Sequence, residues 1–225
     1  MPYFFTRFVL LFSLEFLFVF ALGGQQIINF KNPSFEDVPR KGGVRALPIS
    51  GWYDCGTKLF PGETPPDIHP TRPPSWEVVR KPQHGNSYLG LVVRYSDSWE
   101  SLSQKLETEF EEGKCYLLSV YLARSELYRS PTPRTTRETG FENFIEPVIL
   151  QIWGGDMHCH KGQLLAKSNP VENDEWNLNE FILRPNANYK YITIEAFYVT
   201  PILEAYNGHV LVDNMSSLFE VDCEQ

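Results

Sequence analysis

The sequence lacks the short motifs by which many enzymes are recognised. It has no Gly-x-Ser-x-Gly nucleophile elbow, no His-Glu-x-x-His zinc motif and no glycine-rich phosphate loop. Glu100 and Glu195 are an acidic pair of the kind a glycosidase needs. However, a chain with 28 acidic residues offers many such pairs, and only their separation in space would decide. The sequence therefore favours a non-catalytic protein over an enzyme.

The chain also lacks an excess of basic residues. The sequence has 20 Lys and Arg residues and 28 Asp and Glu residues, which gives a formal net charge of −8. It has no basic stripe that would release counterions from the phosphates of a nucleic acid. A nucleic-acid partner is therefore not expected. There is no internal repeat and no low-complexity tract, and the 14% aromatic content is sufficient for a packed core.

Long apolar runs are absent except at the start. Phe8 to Ala21 is almost entirely apolar, follows the single charge of Arg7, and is followed by Gly23 and Gly24. This is the layout of a secretory signal peptide, and it is short of the roughly 20 apolar residues of a membrane span. We predict a signal peptide over 1–24 and one domain over 25–225, exported to the periplasm, the cell surface or the medium, with no transmembrane span after cleavage. A retained N-terminal anchor is the alternative.

Cysteine is scarce, with Cys55, Cys115, Cys159 and Cys223 all in the predicted mature part. An even number in an oxidising compartment favours disulfides, with three possible connectivities, over free buried thiols. The triplet His158-Cys159-His160 is not expected to bind zinc, because adjacent residues of a strand point to opposite sides and no second ligand cluster follows.

Long helical periodicity is missing, and only Glu107 to Gly113 is expected to hold a turn of helix. Short β-branched and aromatic runs separated by turn residues predict an all-β, antiparallel β-sandwich. These runs are Ser87–Arg94, Trp99–Leu106, Cys115–Arg124, Pro147–Trp153, Trp176–Leu183, Tyr189–Val199 and His209–Asp213.

Alternation along three of these runs, those that begin at Cys115, Pro147 and Tyr189, separates an apolar face from a face that mixes rings with polar groups. We expect the apolar faces to form the core: Tyr116, Leu118, Val120 and Leu122; Val148, Leu150 and Ile152; Ile192, Ile194, Ala196 and Tyr198.

Two stretches are predicted to be long loops. Residues 52–76 are crowded with proline and glycine, which restrict the backbone and remove hydrogen-bond donors. Residues 126–146 are polar and contain the segment Ser130 to Arg137. Loops of this length usually carry function or are disordered.

Two motifs bracket the predicted domain, Asn32-Pro-Ser-Phe-Glu36 and Val210-Leu-Val-Asp-Asn214. With them the sequence resembles the galactose-binding-like jelly rolls, which include many carbohydrate-binding modules of bacterial glycosidases. The resemblance implies a jelly-roll topology and a structural calcium ion held by Glu36 and Asp213, and calcium prefers such oxygen ligands. The alternative is that Glu36 caps a turn and Asp213 accepts bonds from backbone amides.

A second resemblance covers most of the mature chain. The sequence is similar to exported β-sandwich domains of Bacteroidetes envelope proteins, some of which accompany gliding-motility modules. It implies a location at the cell envelope and, as an alternative function, a protein-interaction or scaffold domain with an envelope protein as partner. The segments that carry it include Gly51–Gly56, Pro65–Ile68, Gly85–Gly90, Trp99–Ser101, Gly113–Tyr116, Val120–Ser125, Ile152–Gly155, Glu195–Tyr198 and Asn207–Asn214.

Two candidate binding patches follow. The first is the mixed strand face, whose rings would stack on a sugar and whose planar polar groups would bond its hydroxyls, if the three strands are neighbours: Tyr121, Gln151, Trp153, Glu195 and Phe197. The second is the loop patch of Trp52, Tyr53 and Trp76 with Asp54. The alternative is that these rings are core residues covered by a loop or sheet. The sequence predicts carbohydrate binding, with an envelope scaffold second and a glycoside-active enzyme third.

Overall fold

The computed structural model describes residues 25–42, 48–56, 65–135 and 140–224. The predicted signal peptide lies outside them. The described residues form one 3-10 helix, Ser75–Glu77, and fifteen strands: β1 Ile27–Ile28, β2 Tyr53–Asp54, β3 Asp67–His69, β4 Tyr88–Arg94, β5 Ser98–Trp99, β6 Ser101–Phe110, β7 Cys115–Ala123, β8 Arg129–Ser130, β9 Glu142–Asn143, β10 Val148–Gly155, β11 Gln163–Lys167, β12 Asn177–Leu183, β13 Tyr189–Tyr198, β14 Gly208–Asp213 and β15 Leu218–Val221. Within these residues no helix is long and apolar enough to cross a membrane.

The strands form two large antiparallel sheets. The eight-stranded sheet has the order β1-β15-β7-β14-β4-β3, with β12 paired to β7 and β5 paired to β4. The five-stranded sheet has the order β11-β10-β13-β6-β2, and β8 and β9 form a separate pair. The predicted all-β sandwich is confirmed, and its seven strand predictions correspond to β4, β6, β7, β10, β12, β13 and β14.

One continuous core lies between the two sheets. The core includes the alternating residues Leu118, Val120 and Leu122 of β7 together with Leu150 and Ile152 of β10, and all are at most 1% exposed. Because successive side chains of a strand point to opposite faces, these residues leave the other half of each strand on the outside of the sandwich. The predicted core faces are therefore confirmed.

The structure differs from the sequence-based expectation in two places. The stretch 52–76 is not a continuous loop, because Asp67–His69 is a buried strand that pairs with β4. Glu107 begins no helical turn, because β6 continues as a strand to Phe110. Both differences have one cause: sheet pairing provides backbone hydrogen bonds where local sequence signals are weak.

A second, smaller core covers the outside of the eight-stranded sheet. It is formed by outward-facing side chains of that sheet and by residues of the connections that fold over them: Val78, Tyr88, Val92, Ala123, Tyr128, Phe144 and Leu211. Part of the predicted loop 126–146 is therefore packed, with Tyr128 and Phe144 at most 2% exposed.

All four cysteines are paired. Cys55 is bonded to Cys159 and Cys115 is bonded to Cys223, which selects one of the three connectivities that the sequence leaves open. The first bridge joins the residue that follows β2 to the β10–β11 connection, and the second ties the C-terminal segment to the start of β7.

Candidate functional site

The outer face of the five-stranded sheet gathers most of the first predicted patch. In β10 and β13, Gln151 pairs with Glu195 and Ile149 pairs with Phe197, while Trp153 lies opposite Thr193. Residues that pair directly share a face of the sheet. Gln151, Trp153, Glu195 and Phe197 therefore lie on one surface, pointing away from the core.

Glu195 is the centre of this surface. Its side chain is 1% exposed, and its carboxylate accepts hydrogen bonds from the indole Nε1 of Trp153 at 2.7 Å and of Trp99 at 2.8 Å. The ammonium group of Lys161 forms an ion pair with the same carboxylate. A buried carboxylate is stable only when it is paired and hydrogen-bonded, and here two indoles and one cation meet that need.

Aromatic rings surround this centre and remain partly open to solvent. Trp99, Trp153 and Phe197 are each half-buried, and the Phe197 ring packs edge-on against Trp99 with centroids 4.9 Å apart. The Lys161 Nζ lies 5.4 Å from the Trp99 ring centroid and 6.0 Å from that of Trp153. We call Trp99, Trp153, Lys161, Glu195 and Phe197 the indole patch.

The connection between β10 and β11 folds over the same face. Its Cys159 is joined to Cys55 and donates its backbone N–H to the Ser103 hydroxyl at 3.2 Å. The neighbouring His158 meets the Tyr53 ring edge-on, with centroids 4.8 Å apart. This connection therefore positions Lys161 over Glu195 and covers the face beside Tyr53.

The structure separates the remaining predicted residues. Tyr121 lies on β7 of the eight-stranded sheet, where it pairs with Leu178 and Asp213, so it faces away from the indole patch. Trp52 is 2% exposed, packs on Phe35, and donates its Nε1 hydrogen bond to the Asn32 carbonyl. A ring enclosed in this way is not available to a ligand.

The predicted loop patch does not assemble. Tyr53 is 56% exposed and pairs with Ser103, which places it on the same face as the indole patch. Trp76 packs against the second core instead and donates its Nε1 hydrogen bond to Asp67 at 2.9 Å. Trp52 therefore belongs to the main core, Tyr53 to the outer face of the five-stranded sheet, and Trp76 to the second core outside the eight-stranded sheet.

Sequence reasoning missed Trp99 and Lys161. Trp99 was readable as the first residue of a predicted strand run, but it ends the short strand β5, which pairs with β4, so alternation along β6 does not place it beside Glu195. Lys161 lies on a connection, and no local pattern indicates that it folds back over the sheet.

The carboxylates of Glu100 and Glu195 have separate partners. Glu100 accepts hydrogen bonds from the backbone N–H of Val92 and from Arg94 of β4, at 3.1 and 2.5 Å. The structure thus commits Glu100 to the eight-stranded sheet and Glu195 to the outer face of the other sheet.

Glu36 and Asp213 both bind the loop of residues 83–87. Glu36 accepts hydrogen bonds from the Asn86 and Ser87 backbone N–H groups, and Asp213 accepts from those of Gln83 and His84. Burial raises the pKa of Asp213 to about 6, and the nearby negative charge of Glu36 adds to the increase.

Because the carboxylates of Glu36 and Asp213 are close enough to repel each other, a cation between them would be stabilised. Their hydrogen bonds to backbone amides fit the alternative, in which both carboxylates only stabilise the loop. Among the described residues, only Cys55, His158 and Cys159 form a group of three potential metal-binding side chains, and two of these are in a disulfide. Backbone and amide oxygens would thus have to complete a calcium shell, and calcium ligation stays a prediction.

No protein-family model and no curated protein sequence matches the chain. Solved structures resemble it in fold. A Stig cyclase, Fisc from Fischerella sp. TAU, in complex with (3Z)-3-(1-methyl-2-pyrrolidinylidene)-3H-indole, superposes with a TM-score of 0.53 and 14% identity over 88% of this chain and 98% of that chain. The arabinose-bound MgGH51 α-L-arabinofuranosidase gives a TM-score of 0.50 and 13% identity over 89% of this chain, which spans 27% of that enzyme.

A CBM22-1 xylan-binding domain from Paenibacillus barcinonensis Xyn10C gives a TM-score of 0.46 and 12% identity over 88% of this chain and 97% of that domain. At 13–14% identity the likenesses to the cyclase and to the arabinofuranosidase show the fold and nothing finer.

Proposed function

We propose that the chain is an exported, non-catalytic protein that binds a carbohydrate on the indole patch. The observation that carries the proposal is the single buried carboxylate of Glu195, which holds the indoles of Trp99 and Trp153 through their N–H groups. Rings fixed in this way lose little conformational entropy when a ligand stacks on them.

The chemistry of the patch suits a sugar. A pyranose presents an apolar C–H face that stacks on an aromatic ring and a rim of hydroxyls that need hydrogen-bond partners. Trp99, Trp153 and Phe197 supply half-exposed rings, and the Lys161 ammonium has three protons, of which the Glu195 carboxylate needs one. The phenol of Tyr53, 56% exposed on the same face, adds a further ring and hydroxyl.

The absence of catalysis and the export of the chain rest on separate arguments. Glu195 accepts bonds from two indoles and an ammonium group, which occupy three of the about four acceptor sites of its carboxylate, and Glu100 accepts its bonds from Val92 and Arg94 of another strand. Two disulfides between distant strands support an oxidising, extracytoplasmic environment, in agreement with the signal-like first 24 residues. The fold itself does not discriminate between an enzyme and a binding protein, because a cyclase and part of a glycosidase share it.

Affinity electrophoresis through gels containing individual soluble polysaccharides, together with a glycan array, tests the proposal. We expect at least one polysaccharide to retard the wild-type protein and Trp153→Ala to abolish the retardation. Tyr121→Ala is the matched control, because it removes a half-buried ring from the outer face of the other sheet. If no polysaccharide retards the folded protein, or if both variants behave alike, the proposal is wrong. Trp52→Ala is not informative, since that ring is a core residue.

A further inference from the structure

Gln151 lies beside the indole patch with an unused side-chain amide. It pairs with Glu195 on one side and with Lys167 on the other, so the three residues form one row across β13, β10 and β11 on the outer face of the sheet. Gln151 is 7% exposed, yet its amide forms no hydrogen bond with a described residue, and neither amide atom is fully enclosed. A planar group with both donor and acceptor atoms is therefore presented to solvent at the margin of the indole patch.

Lys167 adds positive charge to this row. Its side chain is exposed and forms no ion pair with a described residue. The ion pair of Lys161 with Glu195 is neutral as a whole. In the described part of the chain, Glu195 is the one acid at the paired, outward-facing positions of β10, β11 and β13, and Asp156 lies past the end of β10. The row thus carries a net positive charge, although the whole chain carries −8.

The strand geometry brings this row within reach of a sugar on the patch. Trp153 and Gln151 lie two residues apart on β10, so both side chains point outward, about 7 Å apart along the strand. Lys167 lies on the neighbouring strand, about 4.8 Å away, at the end of a flexible four-carbon side chain. A sugar ring stacked on Trp153 therefore places its substituents beside the Gln151 amide and the Lys167 ammonium group.

We propose that the glycan bound on the indole patch is acidic, and that its anionic group, a carboxylate or a sulfate ester, binds to Gln151 and Lys167. This inference rests on the proposed function and names the class of its ligand. The anion accepts a hydrogen bond from the Gln151 amide and pairs with the Lys167 ammonium group. A neutral sugar leaves Lys167 without a partner, and an amino sugar would bring a further cation beside Lys161 and Lys167.

Two matched pairs of polysaccharides test the charge and separate the two kinds of anion. Polygalacturonate and its methyl ester differ in the free carboxylate, and dextran sulfate and dextran differ in the sulfate ester. We expect the acidic member of at least one pair to bind the wild-type protein at least about tenfold more tightly at pH 7, as measured by titration calorimetry, because a charged acceptor is replaced by a neutral one in its counterpart.

The possible failures of this inference and of the proposed function differ. Binding that is confined to neutral polysaccharides, or that is equally tight to both members of each pair, overturns the acidic ligand and leaves carbohydrate binding intact. If no polysaccharide binds, acidic or neutral, the proposed function is wrong and this inference with it.

Two variants locate the anion. Lys167→Gln should weaken binding of the acidic polysaccharide by about two- to fivefold, the range of an exposed ion pair, and Gln151→Leu by about tenfold, since a hydrogen bond to a charged group is lost. Lys81→Gln is the matched control, an exposed lysine that is not on the five-stranded sheet, and its affinity should not change. Equal weakening in both lysine variants, or unchanged affinity in Lys167→Gln where Trp153→Ala abolishes binding, overturns the proposed contact. Should Gln151→Leu fail to fold, the comparison of the two lysine variants still decides.

Discussion

The indole Nε1 of Trp153 donates a 2.7 Å hydrogen bond to the carboxylate of Glu195 across the paired strands β10 and β13. The other oxygen of that carboxylate accepts the 2.8 Å bond from Trp99. One buried acid thus fixes two rings whose sequence positions are 54 residues apart, the difference between 153 and 99. The orientation of the indole patch depends on this single side chain.

Glu195→Gln should therefore affect both the stability and the ring environment. The amide keeps one acceptor oxygen but presents an N–H₂ group to the second indole, and Lys161 loses its countercharge. We expect the free energy of unfolding to fall by about 1–3 kcal/mol and tryptophan fluorescence to change, as measured by urea unfolding and emission spectra. Glu107→Gln, an exposed position on β6, is the control, and an equal effect of both variants would contradict the role of Glu195.

The two disulfides allow a matched comparison. Their sequence separations, 104 and 108 residues, are nearly equal, so the chain-entropy account predicts a similar loss of about 4–5 kcal/mol when either pair is replaced by serine. Only Cys55–Cys159 holds the connection that carries Lys161. Thermal unfolding should respond alike to both double replacements, whereas polysaccharide retardation should weaken only in Cys55→Ser/Cys159→Ser. Equal weakening in both would remove the positional role of the first bridge.

The strand positions and core faces were predictable because they are local properties. Alternation along β10 places Val148, Leu150 and Ile152 on one side whatever the strand pairs with, and the same holds for β13. Three members of the indole patch, Trp153, Glu195 and Phe197, follow from that same alternation.

Sheet membership was not predictable, because alternation assigns a face to each strand without assigning the strand to a sheet. Tyr121 and Trp153 both lie on the mixed face of a predicted strand. However, β7, which carries Tyr121, pairs with β12, β14 and β15 in the other sheet. The burial of Trp52 depends on Phe30 and Phe35, more than fifteen residues away in sequence. The strand Asp67–His69 is three residues long between prolines, too short for a periodic signal.

Calcium is tested by stability. If Glu36 and Asp213 share an ion, millimolar calcium should raise the Tm of the chelator-treated wild-type protein, because a ligand that binds only the folded state stabilises it. Glu36→Gln should remove this response. If calcium does not change the Tm of the wild-type protein, the calcium prediction is wrong. The role of both carboxylates is then to accept hydrogen bonds from backbone amides.

His69 provides the last prediction, a dependence of stability on pH. It is fully buried between the rings of Tyr88 and Tyr128, and neither ring nitrogen has a hydrogen-bond partner among the described residues. Burial lowers its pKa from 6.5 to about 3 in the folded state. Between these values the unfolded chain binds a proton that the folded chain does not. This residue therefore lowers stability as the pH falls below 6.5, by about 1.4 kcal/mol per unit.

His69→Phe replaces the imidazole by a ring with no polar atoms and no titration. We expect the variant to be more stable than the wild type at pH 8, by roughly 1–3 kcal/mol for the two unsatisfied nitrogens, and the difference to grow at pH 5. Urea unfolding of both proteins at the two pH values measures this. A difference that stays constant or shrinks on acidification would show that the folded protein accommodates a charged His69, contrary to its enclosure by Tyr88 and Tyr128.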